Sequence, residues 1–176
     1  MSDLAQREDL AESAAAAAFF EGMARWAMGD LQEAVDAVRP IVAGAYAPNA
    51  FFYAHATFTL ALALDALGRG EEAEAVASDL VVRRLTAGNA VGVREAEAFI
   101  AELRLRQGGL QEAKQWLGGH VPRSVGVTYG VYHPDLTAAR VRLALGESGR
   151  HIEGANLLDP ASLVDRFRRI HNTRLL

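Results

Sequence analysis

The residues best suited to chemistry are the five histidines of the chain: His55, His120, His133, His151 and His171. Imidazole binds metal ions and transfers protons near neutral pH, but a metal site needs several ligands close together. No two of these histidines have the i, i+4 spacing that would place both on one helix face. Ser124, His133 and Asp135 could be combined into a triad, but such a set can be assembled from almost any chain of this length. We therefore expect no metal site and no catalytic site.

A cofactor site would need a glycine-rich loop, and one stretch fits the dinucleotide fingerprint G-x-G-x-x-A. Residues 68 to 73 read Gly-Arg-Gly-Glu-Glu-Ala. That motif works only between a strand and a helix, whereas the residues before Gly68 have helical periodicity. No G-x-x-x-x-G-K-[S/T] phosphate loop is present in the sequence. We expect these glycines to shape a turn between two helices, without a cofactor.

The composition narrows the classes of function further. The chain has 176 residues, of which 51% are hydrophobic and 23% charged, and it has no cysteine. The lack of cysteine excludes disulfides, thiolate metal sites and cysteine nucleophiles. The formal net charge of -4 argues against bulk attraction to nucleic acid or to anionic lipid. One region is locally basic, and we interpret it as a solvated helix: Arg166, Arg168, Arg169 and Arg174.

The two most apolar stretches cover residues 14–20 and 50–64. Both are shorter than the roughly 18 residues that a membrane span requires. The residues before the first stretch are acidic, whereas a secretory signal begins with basic residues. We therefore expect a cytoplasmic protein without a membrane partner.

Three short phrases recur at nearly even spacing, and each runs from a glycine to an alanine five residues later. They are Gly29-Asp-Leu-Gln-Glu-Ala34, Gly68-Arg-Gly-Glu-Glu-Ala73 and Gly108-Gly-Leu-Gln-Glu-Ala113. The glycines are 39 and 40 residues apart, and Gly146 follows 38 residues after the third. Apolar residues at helical spacing precede each glycine, and glycine suits the left-handed residue that ends a helix. The pattern predicts repeated helical hairpins.

Small residues also recur seven positions before each turn glycine, at Gly22, Ala61, Ala101 and Ala139. Together with the alanines after the turn, they predict close crossings of neighbouring helices. The long stretch from 118 to 134 is rich in glycine and proline and is expected to be a loop. The helices are predicted near residues 4–28, 30–44, 49–67, 70–86, 90–107, 109–118, 134–145 and 160–170.

This spacing resembles the tetratricopeptide repeat (TPR), although the period is near 39 instead of 34 and no proline closes a repeat. The resemblance implies an all-α, right-handed superhelix of about four TPR-like hairpins. In that family the concave groove is lined by first-helix positions thirteen, ten, six and three before the turn glycine. Carried over to this chain, the polar and aromatic groove positions that could bind a ligand or a partner are His55, Phe58, Asp65, Glu95, Glu102 and Arg140.

A more specific resemblance covers residues 50–176 and rests on the order of four phrases. These phrases occupy residues 60–73, 101–117, 137–146 and 171–176. They are similar to the TPR-like region of large bacterial transcription regulators of the maltotriose-activated type. Those regulators join an ATPase module, a helical superhelix and a LuxR-type DNA-binding module. Because the family sequence continues into another helix, we expect a single TPR-like domain over residues 1–176, truncated at its C-terminal end.

The sequence therefore predicts a non-catalytic scaffold that binds a protein or peptide partner, or a small-molecule effector, in the concave groove. The resemblance implies a role in effector sensing, signal transduction and transcription regulation, without direct nucleic-acid binding by this chain. Two alternatives stay open: a stand-alone adaptor for a partner protein, and a remnant fragment of a larger regulator. An enzyme would need clustered titratable groups in a deep pocket, and the sequence offers no such cluster.

Overall fold

A computed structural model describes residues 3–44, 49–121 and 132–146, with side chains from residue 11 onward. These residues form seven α-helices and no strand, which confirms the all-α class. The helices agree with the predicted boundaries to within two residues, and the helix predicted at 160–170 lies outside the described residues. They are α1 (Asp3–Met28), α2 (Leu31–Val42), α3 (Ala50–Ala66), α4 (Gly70–Thr86), α5 (Ala90–Arg106), α6 (Leu110–Gly119) and α7 (Pro134–Ala144).

The turn glycines end their helices in the left-handed conformation that the repeat predicts. At Gly68 the backbone φ is 77°, and the same region of φ is occupied at Gly29, Gly108 and Gly146. After α3 the N–H of Gly68 donates to the carbonyl of Asp65, and the N–H of Arg69 donates to the carbonyl of Leu64, both at 2.9 Å. These two bonds satisfy carbonyl groups that the helix leaves without partners. The G-x-G-x-x-A stretch is therefore a turn between two helices.

The helices are arranged in two rows. Each helix packs against the next one in the chain, and the odd-numbered helices also contact one another, α1 with α3, α3 with α5, and α5 with α7. Among the described residues, α2 does not contact α4 and α4 does not contact α6. We call α1, α3, α5 and α7 the inner row, and α2, α4 and α6 the outer row. The helices of the inner row are in direct contact along the stack, whereas those of the outer row are separated.

Helix α3 lies at the centre of the core. Every residue from Ala54 to Leu64 is buried, because α3 packs against α1, α2, α4 and α5. A helix surrounded in this way is apolar on all sides. Its N-terminus is capped by Asn49, whose side chain accepts hydrogen bonds from the N–H groups of Phe51 and Phe52. No helix among the described residues combines the length and the apolar character that crossing a bilayer requires.

The small residues that the sequence places at helix crossings are all buried. A Cβ atom added at Gly22 would collide with the side chain of Val38 on α2 and would lie 3.4 Å from the carbonyl oxygen of Ala34. Ala73 and Ala61 have no exposed surface. Adjacent helices can approach closely at these points because the residue at the crossing carries no side chain larger than a methyl group.

We predict that Ala73→Leu lowers the free energy of unfolding by about 1–3 kcal/mol, because the added atoms overpack a closed contact on α4. Ala75→Leu is the matched control, since Ala75 is exposed on the same helix. Chemical denaturation of both variants measures the difference. Equal stabilities would show that the alanine at position 73 is not at a tight crossing.

Candidate functional site

The six residues predicted to line a groove lie on three helices of the inner row. The structure places them on α3 (His55, Phe58 and Asp65), on α5 (Glu95 and Glu102) and on α7 (Arg140). They differ greatly in exposure, because some are covered by neighbouring aromatic side chains and others lie at the surface. No observation shows a ligand on any of them, so their binding role stays a prediction.

His55 is enclosed by aromatic rings. Its side chain is only 4% exposed, and its ring centre lies 4.4 Å from that of Phe51 and 5.4 Å from that of Phe58. Its Nδ1 atom has no hydrogen-bond partner among the described residues. Burial and, to a smaller extent, the charge of nearby Arg84 together lower the pKa of His55 to about 4. At neutral pH His55 is therefore an uncharged member of the core, with almost no surface to offer a ligand.

Phe58 is completely buried, and an aromatic residue outside the predicted helices covers it. Tyr132, just before α7, places its ring 5.0 Å from Phe58 and 4.8 Å from Phe99. The three rings therefore form one aromatic contact between α3, α5 and the residue that precedes α7. Sequence reasoning did not identify Tyr132. The sequence does contain a signal for this contact, because Tyr132 is an aromatic residue directly before the predicted helix start at His133-Pro134. The surrounding stretch indicates only a loop.

Glu102 is the most unusual member of the predicted set, because it is an acidic residue that is only 1% exposed. Three side chains donate hydrogen bonds to it. Thr137 donates to Oε2 at 3.0 Å, Arg106 donates to Oε1 at 2.9 Å, and Arg140 also donates to Oε1. A buried carboxylate is tolerated when its charge and its lone pairs are satisfied in this way. Because Thr137 and Arg140 belong to α7, this cluster ties α5 to α7.

Tyr132 extends the same hydrogen-bond network. Its hydroxyl group lies 2.9 Å from the hydroxyl oxygen of Thr137. Since the Thr137 hydroxyl donates its hydrogen to Glu102, the Tyr132 hydroxyl must be the donor to Thr137. Burial raises the pKa of Tyr132 well above its usual value, so the phenol keeps the hydrogen that this role requires. We call Glu102, Thr137, Arg140, Arg106 and Tyr132 the Glu102 cluster.

The three remaining predicted residues are charged and more accessible than this buried centre. The Arg140 side chain is 49% exposed although it binds Glu102. Glu95 is half-buried, and burial raises the pKa of its carboxyl group while Arg84 opposes that shift. Asp65 lies apart from the cluster at the end of α3, where it accepts a hydrogen bond from Gln107 at 3.0 Å. The accessible part of the predicted groove is therefore polar, and its apolar part is enclosed.

Two histidines contact Asp135 at the junction of α6 and α7. His120 Nε2 lies 3.1 Å from Asp135, and the His133 side chain accepts the N–H of Asp135 at 3.2 Å, which caps α7. The indole of Trp116 lies 4.8 Å from the His120 ring. Within the described residues no group of three ligands is arranged to hold a metal ion. This junction fixes the start of α7. The other candidate residues for a metal site or a triad, Ser124, His151 and His171, lie outside the described residues.

A second concave feature lies on the opposite side of the stack, and sequence reasoning did not predict it. It is a groove of about 600 Å³ between α4 and α6, with α5 as its floor. Val81 and Val82 form one wall, Trp116 contributes to the other, and Ile100 lies between them. We call it the outer groove.

Comparisons of the chain with protein-family models, with curated proteins and with solved structures found no match. The resemblance to regulators of the maltotriose-activated type therefore stays a prediction from the sequence phrases.

We predict that Thr137→Val destabilises the fold by about 1–3 kcal/mol, because it removes one of the three donors to the buried Glu102 and leaves the buried Tyr132 hydroxyl without its acceptor. Thr59→Val is the matched control. Thr59 is equally buried, but its hydroxyl donates only to the carbonyl of His55 in its own helix. Thermal denaturation of the two variants tests the difference. A larger loss for Thr59→Val would contradict the importance of the Glu102 cluster.

We predict that His55 makes the fold less stable in acid. Its pKa is about 4 in the folded state, against 6.5 for an unperturbed histidine. The unfolded chain therefore binds the extra proton first, so the stabilisation is complete above pH 6.5 and is lost as the pH falls towards 4. The full effect is about 3 kcal/mol.

The measurement is the free energy of unfolding between pH 4 and pH 7 for the wild type and for His55→Phe. Removal of the histidine should flatten the curve in this window. Glu95 and His133 titrate in both proteins, so the difference between the two curves isolates His55. Parallel curves would show that His55 is not held uncharged by burial.

Proposed function

We propose that this chain is a non-catalytic binding scaffold built as a right-handed superhelix of about four TPR-like hairpins. Two features support this architecture: the positive-φ glycines at the ends of α1, α3, α5 and α7, and the small buried residues at the helix crossings. Such stacks present an extended face that binds peptides or small molecules. The proposed binding face is that of the inner row around Arg140.

The observation that carries the proposal is the position of Arg140 between solvent and the buried Glu102. A guanidinium group has five N–H donors, and Glu102 accepts from Nη1 only. The side chain is 49% exposed, so its remaining donors are available to a ligand oxygen. Glu95 supplies a carboxylate on the neighbouring helix α5. The face suits a ligand that carries an anionic group and a polar donor, such as a peptide terminus with an adjacent polar side chain.

The same position suggests how binding would act on the fold. A ligand that draws Arg140 outward removes one of the three donors to a carboxylate that is 1% exposed. A buried carboxylate that loses one of its cationic partners is less well stabilised, so we expect the contact between Glu102 and α7 to change when Arg140 moves. Ligand binding at Arg140 is thereby coupled to the packing of α5 against α7.

In a regulator of the type that the sequence resembles, this change in packing would be transmitted to an ATPase module and a DNA-binding module. The chain itself would sense an effector in the cytoplasm, without contacting nucleic acid or a membrane. A stand-alone adaptor would use the same face for a partner protein. The sensor and the adaptor would differ in whether further domains are attached to the scaffold. They would use the same residues of the binding face.

Peptides that bind the immobilised wild-type chain can be selected from a displayed random library. We predict that these peptides bind Arg140→Ala at least about tenfold more weakly than wild type, because the variant loses a central charged contact. Arg142→Ala is the matched control, because Arg142 lies on the same helix and makes no contact with Glu102. Calorimetric titration measures the affinities. The double variant Glu102→Gln with Arg140→Ala removes the buried charge, so it separates loss of binding from loss of stability.

Peptides that bind wild type and Arg140→Ala equally would contradict the proposed face. A library that yields no binder would contradict peptide recognition. In that case a panel of small carboxylates, scored by the shift in melting temperature of wild type against Arg140→Ala, tests the effector version of the proposal.

A further inference from the structure

The outer groove exists because α4 and α6 both pack on α5 without contacting each other in the described part of the chain. Packed helices lie about 8–10 Å apart. Because α4 and α6 both pack on α5 but do not contact each other, an opening remains between them over the surface of α5. The groove of about 600 Å³ occupies this opening. Its long direction follows α5 from Glu97 to Arg104, which is two helical turns.

The surface of the groove is largely apolar. Val82 is 59% exposed at the edge of the groove. Val81, Ile100 and Trp116 are partly buried beside it and face the same opening. An apolar groove between two helices, formed by one exposed and three partly buried side chains, suits an amphipathic helix whose apolar residues recur at i, i+3 or i+4, and i+7.

The charged residues of the groove favour a basic partner. Glu97, Arg104 and Glu112 contribute to its lining. The Arg104 guanidinium lies 3.7 Å from Glu74 of α4, so it is already paired. Glu97 and Glu112 make no ion pair with any residue that the structure describes. The charge left for a partner is therefore negative, and it lies on both α5 and α6.

We propose that the outer groove is a docking site for an amphipathic α-helix of a partner protein, with an apolar stripe flanked by lysine or arginine. The stripe packs between Val82 and Trp116 over Ile100, and the flanking cations pair with Glu97 and Glu112. This surface is separate from the face around Arg140 and does not depend on the proposed function. Opposite charges select the partner, and the apolar contact supplies most of the affinity.

Two synthetic peptides test the proposal. Each has about 18 residues, long enough to form a helix, and each carries the same leucine stripe. One has lysine at the flanking positions and the other has glutamate. The chain has two tryptophans, so Trp26→Phe leaves Trp116 in the groove as the only indole reporter. We expect the lysine peptide to change the emission of Trp116 and to bind at least about fivefold more tightly than the glutamate peptide, a ratio in the range of exposed charge pairs.

Matched variants locate the binding surface. Val82→Lys places a cation in the groove and should weaken the lysine peptide at least about tenfold. Leu85→Lys is its control, because Leu85 lies one turn further along α4, is 60% exposed and does not line the groove. The pair Glu97→Lys with Glu112→Lys should reverse the preference, so that the glutamate peptide binds more tightly.

Several results would overturn the proposal. It is wrong if neither peptide binds, if the glutamate peptide binds wild type more tightly, or if Val82→Lys and Leu85→Lys behave alike. It is also wrong if Val82→Lys turns a dimer into a monomer in sedimentation while the lysine peptide does not bind, because the groove would then be an interface between two copies of this chain. Reversal of preference by the two glutamate substitutions would support it most directly, since a loss of stability cannot produce tighter binding of a new peptide.

Discussion

The stack depends on how closely neighbouring helices can approach at positions occupied by glycine or alanine. At Gly22 the facing Val38 leaves no room for even a methyl group. The alanines at equivalent places on later helices are buried in the same way, as Ala61 and Ala73 illustrate. Close approach brings the backbones together, so that larger side chains on either side of each crossing can interdigitate. The turn glycines support this geometry, because each ends a helix tightly enough for the next one to return along it.

Much of the helical organisation could be read from the sequence because its signals are local. A glycine with φ near 77°, a run of helix formers before it and acidic residues after it are properties of neighbouring residues. Gly44 and Gly88 also have positive φ but were not identified, because they end second helices, where no repeated phrase marks them. The relation between the two rows is not local. It depends on which helices are in contact, and hydrophobic periodicity along one helix does not carry that information.

The candidate site shows the same division between local and distant information. The spacing of residues along a helix predicts that His55 and Glu102 lie on the groove side of their helices. It does not predict which side chains cover them. Glu102 is buried because α7 brings Thr137 and Arg140 to it from 35 and 38 residues away. Tyr132 lies on Phe58 only because the chain enters α7 at that point. Two of the residues predicted to line an open groove, Glu102 and Arg140, are therefore partners in one network, in which Glu102 is buried and Arg140 is exposed.

Helix α5 connects the two surfaces of the molecule. Glu102 lies on the side that faces α7, whereas Ile100 and Arg104, two residues away in either direction, line the outer groove. Residues two apart on a helix lie on different faces, so one rigid helix carries both sites. The two surfaces share α5 but no side chain, because none of the residues of the Glu102 cluster lines the outer groove. A substitution in one surface can therefore be made without removing a residue of the other.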